Sequence, residues 1–438
     1  MAEKTYTVAV LTQGCKVNQY ESEAIAEAFE RVGFRVLSGD EVCDAYVINT
    51  CTVTGESDRK AGQLIRRVHH LAPGAKILVT GCFSQARPEA AASIPGVDFV
   101  CGNRDKLSVV SAAVRLLEEP AQEGAPVPAI GDMESAAFEK MTITKFERTR
   151  AYVKIEDGCE NHCTYCAIPG ARGRVRSKAP EDVLTEVEGL IAGGCREVVL
   201  TGIETASYGR DLPGVTLAEL LKKVDALPGI GRIRLGSLDP SLFKEDFVAT
   251  VAGLSHLAPH FHLSVQSGSS AVLAAMKRKY NREMALAGIR RLRAAIPHVQ
   301  LTADFIVGFP GESEADFADT MSFAKEADFL HMHVFAYSRR AGTVAANLPG
   351  QIPVPVKKER SAALIALGEE MHRGILTRAL ENPLREVLFE SFSGGVAVGH
   401  TADFLEVAVR SDRPMHAETH TVRLLEASGD RLTGEVLK

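Results

Sequence analysis

Three cysteines, Cys159, Cys163 and Cys166, stand in C-x3-C-x2-C spacing, with Tyr165 just before the third. An iron–sulfur cubane needs four ligands, one for each iron. Three thiolates on one loop leave one iron open to a group that is not protein. S-adenosylmethionine (SAM), if it chelates that iron, can be cleaved there. Cofactors of this kind carry radical chemistry that side chains cannot perform themselves. The competing reading is a zinc site or three buried structural cysteines. Zinc asks for paired C-x2-4-C knuckles and a fourth ligand nearby, and neither is evident. The apolar run at 152–155 is the strand that delivers this loop, so the motif also constrains the fold.

The 438 residues exceed one compact core, and two to four domains are expected. No apolar run reaches the ~18 residues that span a bilayer. The first residues lack a basic segment followed by an apolar core, so no secretory signal is expected. The protein is expected to be cytoplasmic, where nine cysteines serve metals or catalysis rather than disulfides. A net charge of −6 does not announce nucleic-acid binding, and any RNA-binding surface must be local.

Residues 1–118 read as a first domain. Apolar runs at 7–11, 45–50 and 76–81 lead to Cys15, Cys51 and Cys82. Between them lie helical patterns, as at 21–32, where Ala24, Ile25, Ala28, Phe29 and Val32 share a face and Gly33 stops the run. Strands alternating with helices predict a doubly wound parallel sheet, whose ligands sit beyond the carboxyl ends of the strands. All three cysteines stand at such ends. They are ligands of a second cluster or three unrelated buried cysteines; Cys43 and Cys101 read as structural. Residues 119–148, rich in proline, glycine and acidic residues, read as a linker.

Residues 149–375 carry six strand candidates, at 152–155, 197–201, 232–235, 261–265, 301–307 and 331–335, most of them separated by helical patterns such as 180–192. They predict a curved parallel sheet, an open partial (β/α)6 barrel in preference to a full eight-unit barrel, with the site at the carboxyl ends of the strands. Tyr165, Gly202, Glu204, Gln266, Ser267 and Asp304 are the candidate SAM contacts. Arg172, Arg174, Arg176 and Lys178 alternate just after the cysteine loop. In extended backbone they form one stripe suited to RNA phosphates, against the alternative of a solvated face. A second basic run, with Lys277, Arg278 and Lys279, reads as solvated surface. Residues 376–438 alternate apolar and polar residues between turn signals and predict a small antiparallel β-barrel. From residue 384 onward it holds six basic and nine acidic residues, a balance unhelpful to RNA binding.

Taken together, the stretches at 14–22, 46–54, 80–82, 154–166, 304–312 and 337–343 resemble the radical SAM methylthiotransferases over nearly the whole chain. The resemblance implies that Cys15, Cys51 and Cys82 hold an auxiliary 4Fe-4S cluster and that Cys159, Cys163 and Cys166 hold the SAM-cleaving one. It implies a methylthiotransferase domain, a radical SAM domain and a TRAM-like barrel that helps grip RNA. Gly14-Cys-Lys-Val-Asn18 is similar to the branch that adds a methylthio group to C2 of N6-threonylcarbamoyladenosine, 3′-adjacent to the tRNA anticodon. Sister branches act on isopentenyladenosine, usually with Gly-Cys-Gln-Met-Asn at that place, or on an aspartate of a ribosomal protein. Glu204 departs from the Asn or His expected there. The implied scheme uses SAM twice, once for a 5′-deoxyadenosyl radical that takes the C2 hydrogen and once to methylate a sulfur on the auxiliary cluster. The implied partners are tRNA, SAM and an electron donor such as flavodoxin or ferredoxin, with no membrane.

Overall fold

The computed structural model describes residues 5–119, 124–146 and 149–437. The first domain is a five-stranded parallel sheet in the order β2-β1-β3-β4-β5, from β1 (Thr7–Thr12), β2 (Arg35–Val36), β3 (Ala45–Thr50), β4 (Lys76–Gly81) and β5 (Val97–Val100). Every residue of β3 is buried, because helices cover both faces. Helix α1 (Lys16–Arg31) packs Ile25 and Phe29 on one face, and α2 (Gly55–Leu71) packs Ile65 and Val68 on the other. The strand order reverses between β1 and β3, the place where such sheets bind ligands.

The second domain begins at β6 (Arg150–Lys154) and a short antiparallel pair, β7 (Glu156–Asp157) with β8 (Arg176–Ser177). Parallel strands follow: β9 (Glu197–Thr201), β10 (Arg232–Leu235), β11 (Ser237–Leu238), β12 (His260–Gln266), β13 (Gln300–Val307) and β14 (His331–Ala336). They pair as β6-β9-β10 and β11-β12-β13-β14, with Gly236 dividing β10 from β11. The result is a six-step partial barrel, and the eight-unit alternative falls. Its outer face is apolar: Val153, Val198, Leu200, Ile233, Phe261, Leu263, Leu301 and Phe305 pack beneath the helices.

A 26-residue helix, Val354–Ala379, leads to a closed barrel ordered β15-β16-β17-β19-β18, from β15 (Leu384–Ser393), β16 (Val396–Thr401), β17 (Glu406–Arg410), β18 (Thr419–Ser428) and β19 (Arg431–Val436). It is antiparallel except where β17 meets β19 in parallel and closes the ring. The helix runs past residue 375, and Ile375, Leu376 and Ala379 belong to the core of this barrel. Phe404 leaves the small barrel and is stacked between His260 and His400, with ring centroids 4.5 and 4.7 Å away. It holds a left-handed backbone, φ 75°, rare for a bulky residue and affordable where packing over-determines it.

The expected linker falls partly on 120–123 and 147–148, outside the described residues. The part between is packed against both large domains. Met141 and Ile143 are buried, and the Met141 carbonyl accepts hydrogen bonds from Tyr20 Oη (2.6 Å) and Lys178 Nζ (3.0 Å).

Candidate active site

β6 ends at the cysteine loop, and His162 at φ 48° turns the chain between Cys159 and Cys163. The three cysteines line a cavity of about 290 Å³ at the carboxyl ends of the strands, with Tyr165, Glu204, Gln266, Asp304 and Phe335. Burial pushes the Cys159 thiol up to about 12 and Cys166 to about 11. Such thiols become thiolates when a metal takes the proton's place. Arg278 donates from Nη1 to Cys163 Sγ (3.3 Å) and from Nη2 to Asp239 (2.6 Å), and the Ile168 amide donates to Cys166 Sγ (3.4 Å). A donor set of three sulfurs, with a cation and an amide turned toward them, fits a cluster with one open corner. The expectation of a solvated Arg278 is corrected here; it is mostly buried against the cysteine loop.

The other SAM candidates divide. Glu204 is buried, accepts from Asn161 Nδ2 (3.0 Å), and its amide donates to Glu156 Oε2 (2.7 Å). Burial, then Asp239, raises its carboxyl to about 7. Gly202 packs its backbone on Glu156, where an added Cβ would fall 2.5 Å from Oε2. Gln266, at φ 67°, turns toward the cavity. That turn sends Ser267 the other way. Ser267 is buried, its hydroxyl meets Thr320 (3.3 Å) and accepts the Ser269 amide (3.2 Å), and it does not line the cavity, so its expected SAM contact is corrected.

Cys15, Cys51 and Cys82 meet although 36 and 31 residues separate them in sequence. Two glycines permit this. Gly14, at φ 108°, lies so close to Cys51 that a Cβ would fall 2.8 Å from Cys51 Cβ, and Gly81, at φ 104°, packs against the Thr50 backbone. Burial raises the Cys51 thiol to about 11, and the neighbouring Cys82 and Cys15 add to it. Cys82 Sγ accepts from Arg172 Nε (3.2 Å) and Asn103 Nδ2 (3.6 Å). This second donor set fits a cluster of the same kind.

The expected basic stripe is corrected. Arg172 ends the helix Ile168–Arg172 rather than lying on a strand, and it is fully buried; Arg176 and Lys178 are buried as well. Arg172 Nη1 donates to Glu21 Oε1 (2.6 Å) and Nη2 to Asn18 Oδ1 (2.6 Å), and Asp157 lies 3.2 Å away. Lys154 and Lys106 complete the network around Glu21. Burial alone would raise Glu21, but Arg172, Lys106 and Lys154 hold it well below the usual carboxylate range. Arg176 pairs with Asp157 (3.4 Å) and Lys178 with Glu186. Only Arg174 of the four is exposed, paired with exposed Glu134 (2.9 Å). Arg172 thus fastens the cysteine loop to the first domain, Arg176 holds the loop to Asp157, and Lys178 ties the next strand to Glu186 and to the segment at Met141. Arg340 adds a tie from the opposite edge, donating to Asp58 (2.8 Å) and Thr52 (2.6 Å).

Period-two alternation along the barrel strands points a second set of side chains inward: Arg150 and Tyr152, Val199 and Thr201, Arg234, His260 and His262, Thr302 and Asp304, His331 and His333. They line a lumen of about 720 Å³ that begins at Cys15 and Lys16 and ends on Phe404. Asp304 and Phe335 line both this lumen and the cavity of the cysteine loop, so that loop and Cys15 of the second triad open onto adjoining space. His262 Nε2 lies 3.1 Å from Asp304 Oδ2, and His333 completes a group within 4.8 Å at that junction. The strings His-Phe-His, Arg-Ile-Arg and His-Met-His carry this alternation in the sequence.

The description "Radical SAM superfamily" matches residues 153–324, and "Uncharacterized protein family UPF0004" matches 7–102. The chain is 37% identical over 429 residues, 96% of its length and 94% of the relative's, to "Threonylcarbamoyladenosine tRNA methylthiotransferase MtaB" of Bacillus subtilis (strain 168). It is 35% identical over the full length of both chains to "tRNA-2-methylthio-N(6)-dimethylallyladenosine synthase" of Moorella thermoacetica. Among solved structures it shares the fold of the radical S-adenosylmethionine methyltransferase TsrM from Kitasatospora setae, with cobalamin and a 4Fe-4S cluster bound (TM-score 0.58, 15% identity, 90% of this chain and 81% of that one). With both cysteine triads in place and relatives matched along nearly its whole length, the chain belongs to the radical SAM methylthiotransferase family.

Proposed function

We propose that this protein adds a methylthio group to C2 of N6-threonylcarbamoyladenosine, 3′-adjacent to the anticodon of tRNA. The observation that carries the reading is the shared wall of the two cavities. A base placed beside Asp304 and Phe335 has the Cys159/Cys163/Cys166 loop on one side and Cys15 on the other. Relatives from Bacillus subtilis and Thermotoga maritima, both named for threonylcarbamoyladenosine and both 37% identical, support the choice of substrate.

When bound, the two clusters supply reductive cleavage of SAM at one open iron and a sulfur to be methylated at the other. The chain's own residues do the rest. Arg278 and Arg172 each set a buried guanidinium against one cysteine of a triad and offset thiolate charge. Asn161 and Glu204 close the polar end of the SAM cavity. A nucleotide in the anticodon loop is already partly unstacked, which lowers the cost of drawing its base between the triads. The electron donor is a small redox protein such as flavodoxin or ferredoxin, and the setting is the cytoplasm; among the described residues no helix is long and apolar enough to cross a membrane.

Nucleoside mass spectrometry tests the reading. A host without methylthiotransferases of its own expresses this chain or its Cys159→Ala variant. The expected result is methylthio-threonylcarbamoyladenosine with the first and none with the second. Methylthio-isopentenyladenosine instead would move the chain to the sister branch.

A further inference from the structure

The lumen floor carries cations that the proposed chemistry does not use. Arg150, Arg232 and Arg234 crowd around one buried carboxylate, Glu197, at 2.9, 3.2 and 2.9 Å. Arg150 also pairs with Glu390, which His400 engages as well (2.7 Å). Arg234 is 2% exposed, spends Nε on Glu197 and Nη2 on the Ala402 carbonyl (3.2 Å), and leaves Nη1 without a partner. His260, 5% exposed, likewise has an unpartnered Nδ1. At the other end Lys16 enters the lumen from the first turn of α1 and has no hydrogen-bond or ion-pair partner among the described residues. The one acid lining the lumen, Asp304, is engaged by His262. Buried polar groups ordinarily have partners, so an unsatisfied guanidinium nitrogen on Arg234 and an unpaired Lys16 around one cavity mark a place that an anion can fill.

The occupant follows from position, and the argument rests on the threonylcarbamoyladenosine reading. The lumen starts at Cys15 and adjoins the SAM cavity at Asp304 and Phe335, so a base between the triads extends its N6 arm along it. An isopentenyl arm would have no use for cations; this lumen has apolar walls at Val17, Val199 and Phe335 but adds Lys16, Arg150, Arg234 and histidines to them. We propose that the barrel lumen is the specificity pocket of the enzyme, and that Lys16 and Arg234 bind the carboxylate of the threonylcarbamoyl arm. Phe404 of the C-terminal barrel closes the floor and lies under the Arg234 guanidinium at 4.8 Å, which sets the depth the arm can reach. The small barrel is thereby part of substrate selection from the inside.

The test uses the reconstituted full-length enzyme and three anticodon stem-loops, with an isopentenyladenosine loop as control. One carries threonylcarbamoyladenosine, one its carboxyl methyl ester, and one plain adenosine. Binding is read by fluorescence anisotropy and turnover by mass spectrometry. Losing a charge-assisted contact in a buried site predicts roughly a ten- to hundred-fold weaker Kd for the ester, with the effect in KM more than kcat. Lys16→Met should lose part of that factor on the carboxylate loop and respond less to esterification than the parent, with Arg234 still in place. Equal binding and turnover of acid and ester by the unaltered enzyme would overturn the proposal, whatever the variant does to folding or iron. Equal weakening of the plain adenosine loop by Lys16→Met would also overturn it, since Lys16 would then be reading a backbone phosphate. Turnover of none of the three, with turnover of an isopentenyladenosine loop, would instead bring down the substrate reading on which the proposal stands.

Discussion

Replacing Arg172 by methionine should release the auxiliary site and leave RNA binding by the folded protein nearly intact. The guanidinium makes contacts of 2.6 Å to Glu21, 2.6 Å to Asn18, 3.2 Å to Asp157 and 3.2 Å to Cys82 Sγ. Removing one partner from a buried ion pair typically costs about 3–5 kcal/mol, because the opposite charge stays buried and uncompensated. The low end applies here. Glu21 keeps Lys106 and Lys154, and Asp157 keeps Lys154 and Arg176. The expected loss is therefore about 3 kcal/mol, concentrated where the cysteine loop meets the first domain. Cys82 also loses its nearest cation. Iron should fall from about eight toward about four per chain, one cubane's worth, and urea unfolding should begin earlier. Arg172→Lys, which keeps the charge and loses the fork, should fall between. The reasoning would be refuted by a methionine variant that keeps its iron and its unfolding midpoint yet binds tRNA weakly. That result would return Arg172 to the surface role its sequence suggests.

Gly14→Ala should cost most of the auxiliary iron, because its Cβ would press on Cys51 and its backbone is left-handed; iron analysis and the visible absorption band report it. Burial alone would raise Glu197, but Arg234, Arg150 and Arg232 outweigh it and hold the carboxyl at about 2. A depressed folded value means that this stability is present above the ordinary carboxylate range and is lost as pH falls toward 2. Glu197→Gln should thus cost about 3 kcal/mol near pH 7, with the gap to the parent narrowing near pH 3 in urea titrations. Phe404→Ala should weaken docking of the C-terminal barrel by about 2 kcal/mol through lost stacking and cation–π contact, seen as earlier proteolysis of the chain after the helix Val354–Ala379. Arg174→Ala should change stability by no more than about 0.5 kcal/mol, as its partner Glu134 is equally exposed.

The sequence by itself determined the catalytic inventory. The C-x3-C-x2-C loop is compact, so its three sulfurs converge in any fold that keeps the loop. The strand runs before Cys15, Cys51 and Cys82 predicted a parallel sheet, and parallel strands bring their carboxyl ends to one edge. Alternating helices and strands likewise made the partial barrel legible. What local spacing could not decide is which way a charge faces. Arg172, Arg174, Arg176 and Lys178 alternate as a surface stripe does, yet a short helix and an antiparallel pair turn three of them inward, onto acids as distant as Glu21. Ser267 and Gln266 are neighbours, and one left-handed residue sends them to opposite sides. The lumen depended most on the tertiary structure. Lys16, Arg234 and Phe404 come from three domains, and they share one cavity only because the small barrel stops the floor of the larger one and α1 caps its mouth. Gathering these cations around one cavity is a property of that enclosure, and no window of sequence contains it.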